Sequence, residues 1–186
     1  MPLDMVTPIM RSRAKAVNFG IVYGIGAFSL AKDIGVSNKE AKHYIESYLA
    51  HYSGVDSYMK NVVEKANADG YVETMFGRRR NLPELTSSKH MIRAFGERVA
   101  RNMPIQGTAA DIIKIAMIKV DERMKAENLR ARLVLQVHDE LIVEAPQDES
   151  MRVALIVQEE MENAVKMSVP LTADAAVGRT WYDAKG

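Results

Sequence analysis

Residues 11–24 read RSRAKAVNFGIVYG, and a helix through this stretch has two chemically different sides. At about 100° per residue, one side collects the apolar residues Met10, Ala14, Val17 and Ile21. Such a stripe at helical spacing predicts burial against the rest of the fold. The other side collects, at intervals of four residues, Arg11, Lys15, Phe19 and Tyr23.

The second side has two cations in the first half of the helix and two aromatic rings in the second half. Arg11 and Phe19 are separated by about 12 Å along the helix axis. That length suits a nucleoside triphosphate, with charge-assisted hydrogen bonds from Arg11 and Lys15 to the phosphates and the rings at the sugar and base. A second packing surface flanked by charges explains the same pattern and remains the alternative.

Helical signals dominate the chain around this stretch. Thr7 and Pro8 are typical of an N-cap and a first helical residue, and predict a helix to about Tyr23. Capping-box and glycine signals predict further helices over about 28–33, 37–51 and 55–68. A short strand is predicted at Tyr71–Met75, which alternates and is rich in β formers.

The second half of the chain mixes helices with strands. We expect a loop over 77–88 and two helices, about Met91–Asn102 and Ala109–Glu127, separated by a break at Pro104–Gly107. Beyond them the sequence predicts strands at Arg132–Gln136 and Leu141–Glu144, a helix at about Glu149–Lys166 and a last strand at Leu171–Val177. The expected fold class is therefore α+β, mostly helical with a small antiparallel sheet.

The formal net charge is +1, so the distribution of charge is more informative than its total. Residues 76–101 contain seven Arg or Lys against two Glu, whereas residues 139–163 contain eight carboxylates against one Arg. A basic patch and an acidic patch predict a polyanion and a cation as partners. Two solvated surfaces remain the alternative.

Composition excludes several classes of protein. The chain has no cysteine, which rules out disulfides and thiolate metal sites. Its 47% apolar and 26% charged residues are typical of a soluble globular chain. No apolar run approaches the roughly 18 residues of a membrane span, and the N-terminus lacks a signal-peptide pattern. We therefore expect a cytoplasmic protein.

His138, Asp139 and Glu140 lie at the predicted turn between two apolar strands. A turn can bring neighbouring carboxylates toward one ligand, and Mg²⁺ is bound by oxygen atoms of this kind. Phosphoryl transfer uses such ions to steady the attacking and leaving oxygens. A polar hairpin tip without chemistry is the alternative, and the turn by itself does not separate the two.

The opening stretch resembles the fingers-helix motif of family A DNA polymerases, R-x3-K-x3-F-G-x2-Y-G. The resemblance implies that Arg11 and Lys15 bind the triphosphate of an incoming deoxynucleotide. It also implies that Phe19 packs on the sugar of that nucleotide and that Tyr23 closes the pocket for the template base. The sequence departs from many family members at Ser12, where a second arginine is usual.

Residues 137–140, Val-His-Asp-Glu, resemble the palm motif of the same family. The resemblance makes Asp139 a metal ligand, Glu140 its carboxylate neighbour and His138 a contact to the primer end. The predicted catalytic residues are therefore Asp139, Glu140 and Lys15, with Mg²⁺ as cofactor, two ions in the intact enzyme. The family's first palm motif, which carries the other metal-binding aspartate, has no match here. We thus expect an incomplete metal site and no activity from the chain alone.

The segment 97–111 also resembles the family, and its Arg98, Asn102 and Gln106 recur every four residues. Neutral amides suit the minor-groove acceptors that all base pairs share, and the resemblance places Asn102 and Gln106 near the primer–template duplex. Residues 76–80 resemble the basic loop of the family. This resemblance predicts that Arg78, Arg79 and Arg80 contact phosphates.

The resemblance runs from about Pro2 to Lys185 and implies fingers helices in residues 1–75 and the C-terminal part of the palm in residues 76–186, both from one polymerase domain. The expected function is template-directed DNA synthesis in replication or repair, by nucleotidyl transfer to a primer 3′-hydroxyl. The expected partners are primer–template DNA, deoxynucleoside triphosphates and the remainder of the polymerase chain. The alternative is a non-catalytic nucleic-acid-binding or self-associating fragment that dimerises through apolar surface exposed by truncation.

Overall fold

The structure, a computed structural model, describes residues 5–185 and is mostly helical. The helices in this range are α1 (Pro8–Val22), α2 (Ala27–Ile34), α3 (Asn38–His51), α4 (Ser53–Asp69), α5 (His90–Ala126), α6 (Ser150–Glu162) and α7 (Trp181–Lys185). The strands are β1 (Tyr71–Glu73), β2 (Arg79–Asn81), β3 (Arg132–Val137) and β4 (Glu140–Glu144). β1 pairs with β2 and β3 with β4, in two separate antiparallel sheets. The predicted α+β class is confirmed.

The chain divides into two compact units, one up to Gly107 and one from Thr108 onward. The first contains α1 to α4, the β1–β2 hairpin and the first part of α5, and the second contains the rest of α5 with the β3–β4 hairpin, α6 and α7. The boundary between fingers and palm at residues 75 and 76 stays a prediction. No helix within residues 5–185 is both long and apolar enough to cross a lipid bilayer.

The starts of α1 and α3 follow from their capping residues. Thr7 Oγ1 accepts a hydrogen bond from Met10 N at 3.2 Å, which satisfies one of the free donors at the start of α1. At α3, Glu40 N donates to Ser37 Oγ at 3.2 Å and Ser37 N donates to Glu40 Oε2 at 3.0 Å. This reciprocal pair is the predicted capping box, so both helix starts are confirmed.

The apolar stripe predicted along α1 is buried only in its C-terminal half. Ile21 is buried, and Val17 packs against a cluster made of Leu30, Ala31, Ile34 and Ala41. Met10 is 45% exposed and Ala14 is exposed as well. The prediction of burial for Met10 and Ala14 is wrong within the described residues, because the cluster formed with α2 and α3 meets α1 only from Ala16 onward.

β1 and β2 form a hairpin where the sequence predicted a strand followed by a loop. Val72 pairs with Arg80, and Glu73 pairs with Arg79. Arg79 Nε lies 3.2 Å from Glu73 Oε2, and its guanidinium lies 4.4 Å over the ring of Tyr71. The prediction of a loop over residues 77–88 is therefore wrong. Cross-strand pairs order β2, and because all of its residues are exposed, no alternation marks it in the sequence.

α5 is a single helix of 37 residues with Pro104 inside it, so the predicted break at Pro104–Gly107 is wrong. Proline removes one N–H donor and crowds the carbonyl four residues earlier, which kinks or ends many helices. α5 is buried on both sides of its proline, at Ala100 in one hydrophobic core and at Val120 in another. Tertiary packing of this kind stabilises helices more than local propensity does, so it outweighs the lost hydrogen bond.

The second unit contains the predicted hairpin of β3 and β4, with Val137 paired to Glu140 across a turn at His138 and Asp139. α6 ends at Glu162, earlier than the predicted Lys166. Lys119 Nζ donates to Asn163 O at 2.7 Å and to Ala164 O at 3.0 Å. A cation on these terminal carbonyls ends the helix favourably there.

Leu171–Val177 was predicted as a last strand, and the described residues do not form one there. An extended backbone becomes a strand only when a neighbour supplies a hydrogen-bonding edge. The strand pairs of the described chain are β1–β2 and β3–β4, and residues 171–177 join neither. The core of this unit forms between the end of α5, the β3–β4 hairpin and α6, from Val120, Met124, Ala131, Val153 and Ile156.

Candidate functional site

The first half of the α1 face carries two cations without partners. Arg11 and Lys15 are exposed, and within the described part of the chain neither side chain makes a hydrogen bond or an ion pair. Their four-residue spacing puts both charged groups on the same side of the helix. Phosphate oxygens accept charge-assisted hydrogen bonds from such groups. This half of the face can therefore bind a polyphosphate.

The second half of the same face is aromatic. Phe19 and Tyr23 are stacked, with ring centroids 6.2 Å apart and 21° between their planes. Phe19 is 56% exposed and Tyr23 is 38% exposed, so neither ring is part of the core. Gly24 follows with a φ of 77°, a backbone conformation that glycine adopts without strain. The structure thus brings Arg11, Lys15 and Phe19 of α1, with Tyr23 at its C-cap, onto one exposed face.

A cavity of about 390 Å³ lies between β2 and α5 in the first unit. Its lining includes Arg80 from β2 and, from α5, Phe95, Arg98, Asn102, Gln106 and Gly107. The α5 residues share one face because α5 continues through its proline, which keeps the three- and four-residue spacing in phase. Four predicted DNA-contact residues therefore meet at one cavity: Arg80, Arg98, Asn102 and Gln106.

The polar groups around this cavity are incompletely paired. Asn102 Oδ1 is buried and has no hydrogen-bond partner among residues 5–185. The Arg98 guanidinium lies 5.9 Å from the centroid of Phe95, near the outer range of a cation–π contact. The Arg80 side chain makes no hydrogen bond or ion pair with the described residues. Because an unpaired buried acceptor is unfavourable, a bound group that donates to Asn102 would stabilise the cavity.

The remaining arginines of the basic stretch have local partners. Arg79 is held by its ion pair with Glu73 across the hairpin. Arg78 donates its backbone N–H to Thr74 Oγ1 at 3.2 Å. Arg93 donates from Nη1 to the carbonyl oxygens of Ser87 and Ser88 at 2.7 and 3.0 Å. The side chains of Arg78 and Arg79 are exposed and accessible to phosphate, whereas Arg93 is half-buried and stabilises a loop.

The predicted catalytic turn presents one free carboxylate. His138 has a φ of 53°, in the left-handed region that residues other than glycine rarely adopt. Asp139 is exposed and, among the residues that the structure describes, has neither a hydrogen bond nor an ion pair. Glu140 Oε1 lies 3.1 Å from Lys185 Nζ. Of the two predicted carboxylates, Asp139 is therefore available to a ligand and Glu140 is already paired.

Most of the other carboxylates in 139–163 are ion-paired with arginines. The N···O distances are 2.9 Å for Arg132–Glu144, 2.8 Å for Arg130–Glu149 and 2.8 Å for Arg123–Glu160. Hydrogen bonds to Glu160 and Glu159 raise the pKa of Arg123. The acidic stretch is thus largely neutralised, and within residues 5–185 no three His, Asp or Glu side chains are arranged to hold a metal ion.

Asp139 nevertheless fits a ligand role for Mg²⁺. Its carboxylate presents oxygen atoms, which are the ligands that Mg²⁺ prefers, and it makes no ion pair with the described residues. Mg²⁺ is usually held by one or two carboxylates together with substrate phosphates, so an all-protein cage is not required. The donor set agrees with a metal that arrives with a phosphate-bearing ligand.

Sequence reasoning missed two residues of these sites. Phe95 lines the cavity three residues before Arg98, and helical spacing could have placed it there. Lys185 contacts Glu140 across 45 residues of sequence, and no local signal indicates that contact.

Comparison with known proteins identifies the family of the chain. A model of DNA polymerase family A matches residues 1–183. The chain is 56% identical over 182 residues to DNA polymerase I of Bacillus caldotenax, which covers 98% of this chain and 21% of that protein. It is 54% identical over 180 residues to DNA polymerase I of Geobacillus stearothermophilus, with coverage of 97% and 20%. The chain therefore spans about a fifth of the length of these relatives.

A solved structure is similar over the whole chain. It is the POL domain of Pol1 from M. smegmatis in complex with DNA primer-template and dNTP. The TM-score is 0.95 and the sequence identity is 46%, and the match covers 100% of this chain and 33% of that chain. The likeness extends to both compact units, each of which has its counterpart in that polymerase domain.

Proposed function

The chain belongs to DNA polymerase family A, and on this premise we propose that it provides the nucleotide-binding helix and part of the catalytic palm of a DNA-directed DNA polymerase. In the reaction, the primer 3′-hydroxyl attacks the α-phosphate of a bound deoxynucleoside triphosphate, and pyrophosphate leaves. The partners are primer–template DNA, deoxynucleoside triphosphates and the rest of the polymerase chain.

The observation that carries this proposal is the exposed, unpartnered face of α1. Arg11 and Lys15 bind the triphosphate, Phe19 contacts the sugar and Tyr23 borders the template base. Lys15 is also catalytic, because a fixed cation at the phosphates stabilises the negative charge that develops on the leaving pyrophosphate. The side chains of this face lie on a regular helix and are exposed, so a nucleotide can reach them without unpacking the core.

The DNA side of the proposal rests on the cavity between β2 and α5. Arg98 and Arg80 contact phosphates, while the amides of Asn102 and Gln106 meet minor-groove atoms that all four base pairs share. Only the amide nitrogens can donate to these shared acceptors, whereas the unpaired Oδ1 of Asn102 is open to a donor such as the guanine amino group. Arg78 and Arg79 add exposed phosphate contacts.

The metal chemistry is assigned to the β3–β4 turn. Asp139 would hold Mg²⁺ together with the substrate phosphates, His138 would contact the primer end, and Glu140 would contribute negative charge beside them. When bound, Mg²⁺ supplies positive charge that stabilises the phosphoryl oxygens during transfer. We extend the proposal to a two-metal mechanism in the intact enzyme, with the further carboxylate supplied from outside the 186 residues. The isolated chain, with Asp139 as its single motif-assigned ligand, does not extend a primer.

Primer extension tests both parts. The full-length protein that carries this chain is expected to extend a primed template with Mg²⁺ and four deoxynucleotides. Asp139→Ala is expected to abolish extension, and Lys15→Ala is expected to slow it strongly. The purified 186-residue chain is expected to give no extension above its own Asp139→Ala variant. Template-independent products from the full-length protein, or extension that survives Asp139→Ala, would contradict the proposal.

A non-catalytic DNA-binding role is the second candidate, and the basic cavity of the first unit favours it independently of the turn. The two candidates differ in one measurement. Under the non-catalytic role, the full-length protein binds primer–template DNA but incorporates no nucleotide. The cytoplasmic location stays a prediction.

A further inference from the structure

Thr74 organises the turn that leads from β1 into β2. It directly follows β1 and is 4% exposed. Its Oγ1 accepts hydrogen bonds from the backbone N–H groups of Phe76 and Arg78, both at 3.2 Å. Its own N–H donates to Arg78 O, and its carbonyl accepts from Gly77 N, both at 3.0 Å. The hydroxyl and backbone of one residue therefore fix the path of the chain into β2.

Gly107, on α5, leaves no room for a side chain against the same threonine. A Cβ at this position would lie 2.7 Å from Thr74 Cγ2 and 3.5 Å from Met103 Cε. Carbon atoms are most stable at about 3.5–4.0 Å, so the first of these distances is a clash. The φ of Gly107 lies outside the left-handed region. Glycine is therefore required here for close packing of α5 on the Thr74 methyl group.

This contact joins the two walls of the cavity. One wall carries Arg80, which β2 presents, and the other carries Arg98, Asn102 and Gln106 from α5. Gly107 follows Gln106 directly and also lines the cavity. The separation between the walls is therefore set beside the cavity itself, at a buried methyl group packed on a glycine backbone.

We propose that Thr74 is a positioning residue for DNA, which holds the β1–β2 hairpin and α5 at the separation that a duplex requires. The inference rests on the proposed function, because that function assigns DNA to the cavity. The methyl group sets the distance between the walls, and the hydroxyl directs the chain through Arg78 to Arg80. Phosphate contacts from one wall and amide contacts from the other must reach the same duplex, so they depend on one spacing.

The competing explanation is that the contact between Thr74 and Gly107 is ordinary core packing. This explanation predicts different effects of substitution. Valine has the shape of threonine, so it would serve equally well as a packing residue. A methyl group added at Gly107 would then lower stability without changing the number of phosphates that the protein contacts. Affinity, salt dependence and stability together separate the two explanations.

The first experiment uses Gly107→Ala, Thr74→Ser and the double variant in the full-length protein. Thr74→Ser removes Cγ2 and keeps the hydroxyl acceptor, so it opens space for the new methyl group. Gly54→Ala is the matched control, because α4 belongs to the same unit and nothing lies within 4 Å of a Cβ at Gly54. The measurements are the Kd for a primer–template duplex at several salt concentrations and the thermal unfolding midpoint.

Gly107→Ala is expected to weaken DNA binding about tenfold. It is also expected to reduce the steepness of the salt dependence, which is the slope of the logarithm of the binding constant against the logarithm of the salt concentration, by about one to two, since each phosphate contact contributes about 0.9. The double variant is expected to return to within about twofold of wild type, and Gly54→Ala to match wild type. If Gly107→Ala does not fold, the double variant is compared with Thr74→Ser: equal affinity supports the proposal, and a tenfold loss overturns it. Wild-type affinity and salt slope in a folded Gly107→Ala, or no rescue by Thr74→Ser, also overturn it.

Thr74→Val tests the hydroxyl separately. It keeps the methyl packing on Gly107 and removes the acceptor for the Phe76 and Arg78 N–H groups, so we expect a salt slope lower by about one. A wild-type slope in Thr74→Val would overturn the role of the hydroxyl. A wild-type protein that binds no primer–template DNA would contradict the proposed function itself, whereas wild-type binding with an unaffected Gly107→Ala would contradict the positioning role alone.

Discussion

Lys185 Nζ lies 3.1 Å from Glu140 Oε1, so the C-terminal helix α7 reaches the turn that carries Asp139. The Lys185 ammonium also lies 5.3 Å from the ring centroid of Trp181, which restricts its position. The two paired side chains are 61% and 42% exposed, and ion pairs at such positions add little to stability. The main consequence is electrostatic, because the ammonium reduces the negative potential beside the predicted metal ligand.

Lys185→Ala is therefore expected to strengthen metal binding. In the full-length protein, we expect the half-saturating Mg²⁺ concentration for nucleotide incorporation to fall about two- to threefold, a small change because salt and solvent screen exposed charges. Lys185→Arg is expected to keep the wild-type value. Lys125→Ala is the control, since Lys125 pairs with Asp121 on the exposed surface of α5. An unchanged Mg²⁺ dependence, or an equal shift in the control, contradicts the prediction.

Local signals allowed much of the fold to be predicted. Thr7 and the Ser37–Glu40 pair act within one turn of their own helices, so residue order alone identifies them. Pro104 predicts a helix break from sequence alone. α5 nevertheless continues through it, because tertiary packing buries the helix on both sides of the proline. Leu171–Val177 has the alternation of a strand, but sequence pattern does not supply the neighbouring edge that a strand needs.

The candidate site also has one part that was predictable from sequence and one part that depends on tertiary packing. Arg11 and Tyr23 share one face of α1 because four-residue spacing places them there, and that arrangement was predictable. Arg80 meets Arg98 only because the β1–β2 hairpin packs on α5, and β2 has no signal in the sequence. The roles of these residues in nucleotide and DNA binding stay predictions.

The capping box of α3 gives a pH-dependent contribution to stability. Hydrogen bonds from the Ser37 side chain and backbone lower the pKa of Glu40. Because the folded pKa lies below the unfolded value, this stabilisation is present above the unfolded pKa and is lost as the pH falls through the folded pKa. Ser37→Ala is expected to lower the unfolding midpoint near neutral pH by about 2–4 °C.

The difference between wild type and Ser37→Ala should shrink as acid protonates Glu40. The measurement is the thermal midpoint between neutral pH and the acid range. Ser57→Ala is the control, because Ser57 is exposed inside α4 and does not cap a helix. A gap that stays constant across the pH series would show that Glu40 takes no part in the cap.

Binding of DNA should depend on salt and not on sequence. Arg80→Ala and Arg98→Ala in the full-length protein are each expected to weaken duplex binding for all sequences alike and to reduce the salt slope by about one. Arg132→Ala is the control, because Arg132 is exposed but paired with Glu144 on the β3–β4 hairpin. A preference for one DNA sequence, or equal losses in the control, would assign the basic cavity to another ligand.

Phe19 is expected to control selection of the nucleotide sugar in the full-length protein. The Phe19 ring is 56% exposed and lies one helical turn beyond Lys15, beside the predicted sugar position. A phenyl ring offers no hydrogen bond, so a nucleotide without its 3′-hydroxyl gains no substitute for that group. A tyrosine hydroxyl could supply one in the transition state, where differential binding sets the rate.

Phe19→Tyr is therefore expected to improve dideoxynucleotide incorporation sharply while it leaves deoxynucleotide incorporation nearly unchanged. Arg11→Ala and Lys15→Ala should instead weaken both substrates alike, since every nucleotide carries the same phosphates. The measurement is single-nucleotide incorporation with matched dideoxy and deoxy substrates for each variant. If Phe19→Tyr leaves their ratio unchanged, or Lys15→Ala alters it as strongly, the aromatic half of the α1 face does not contact the sugar.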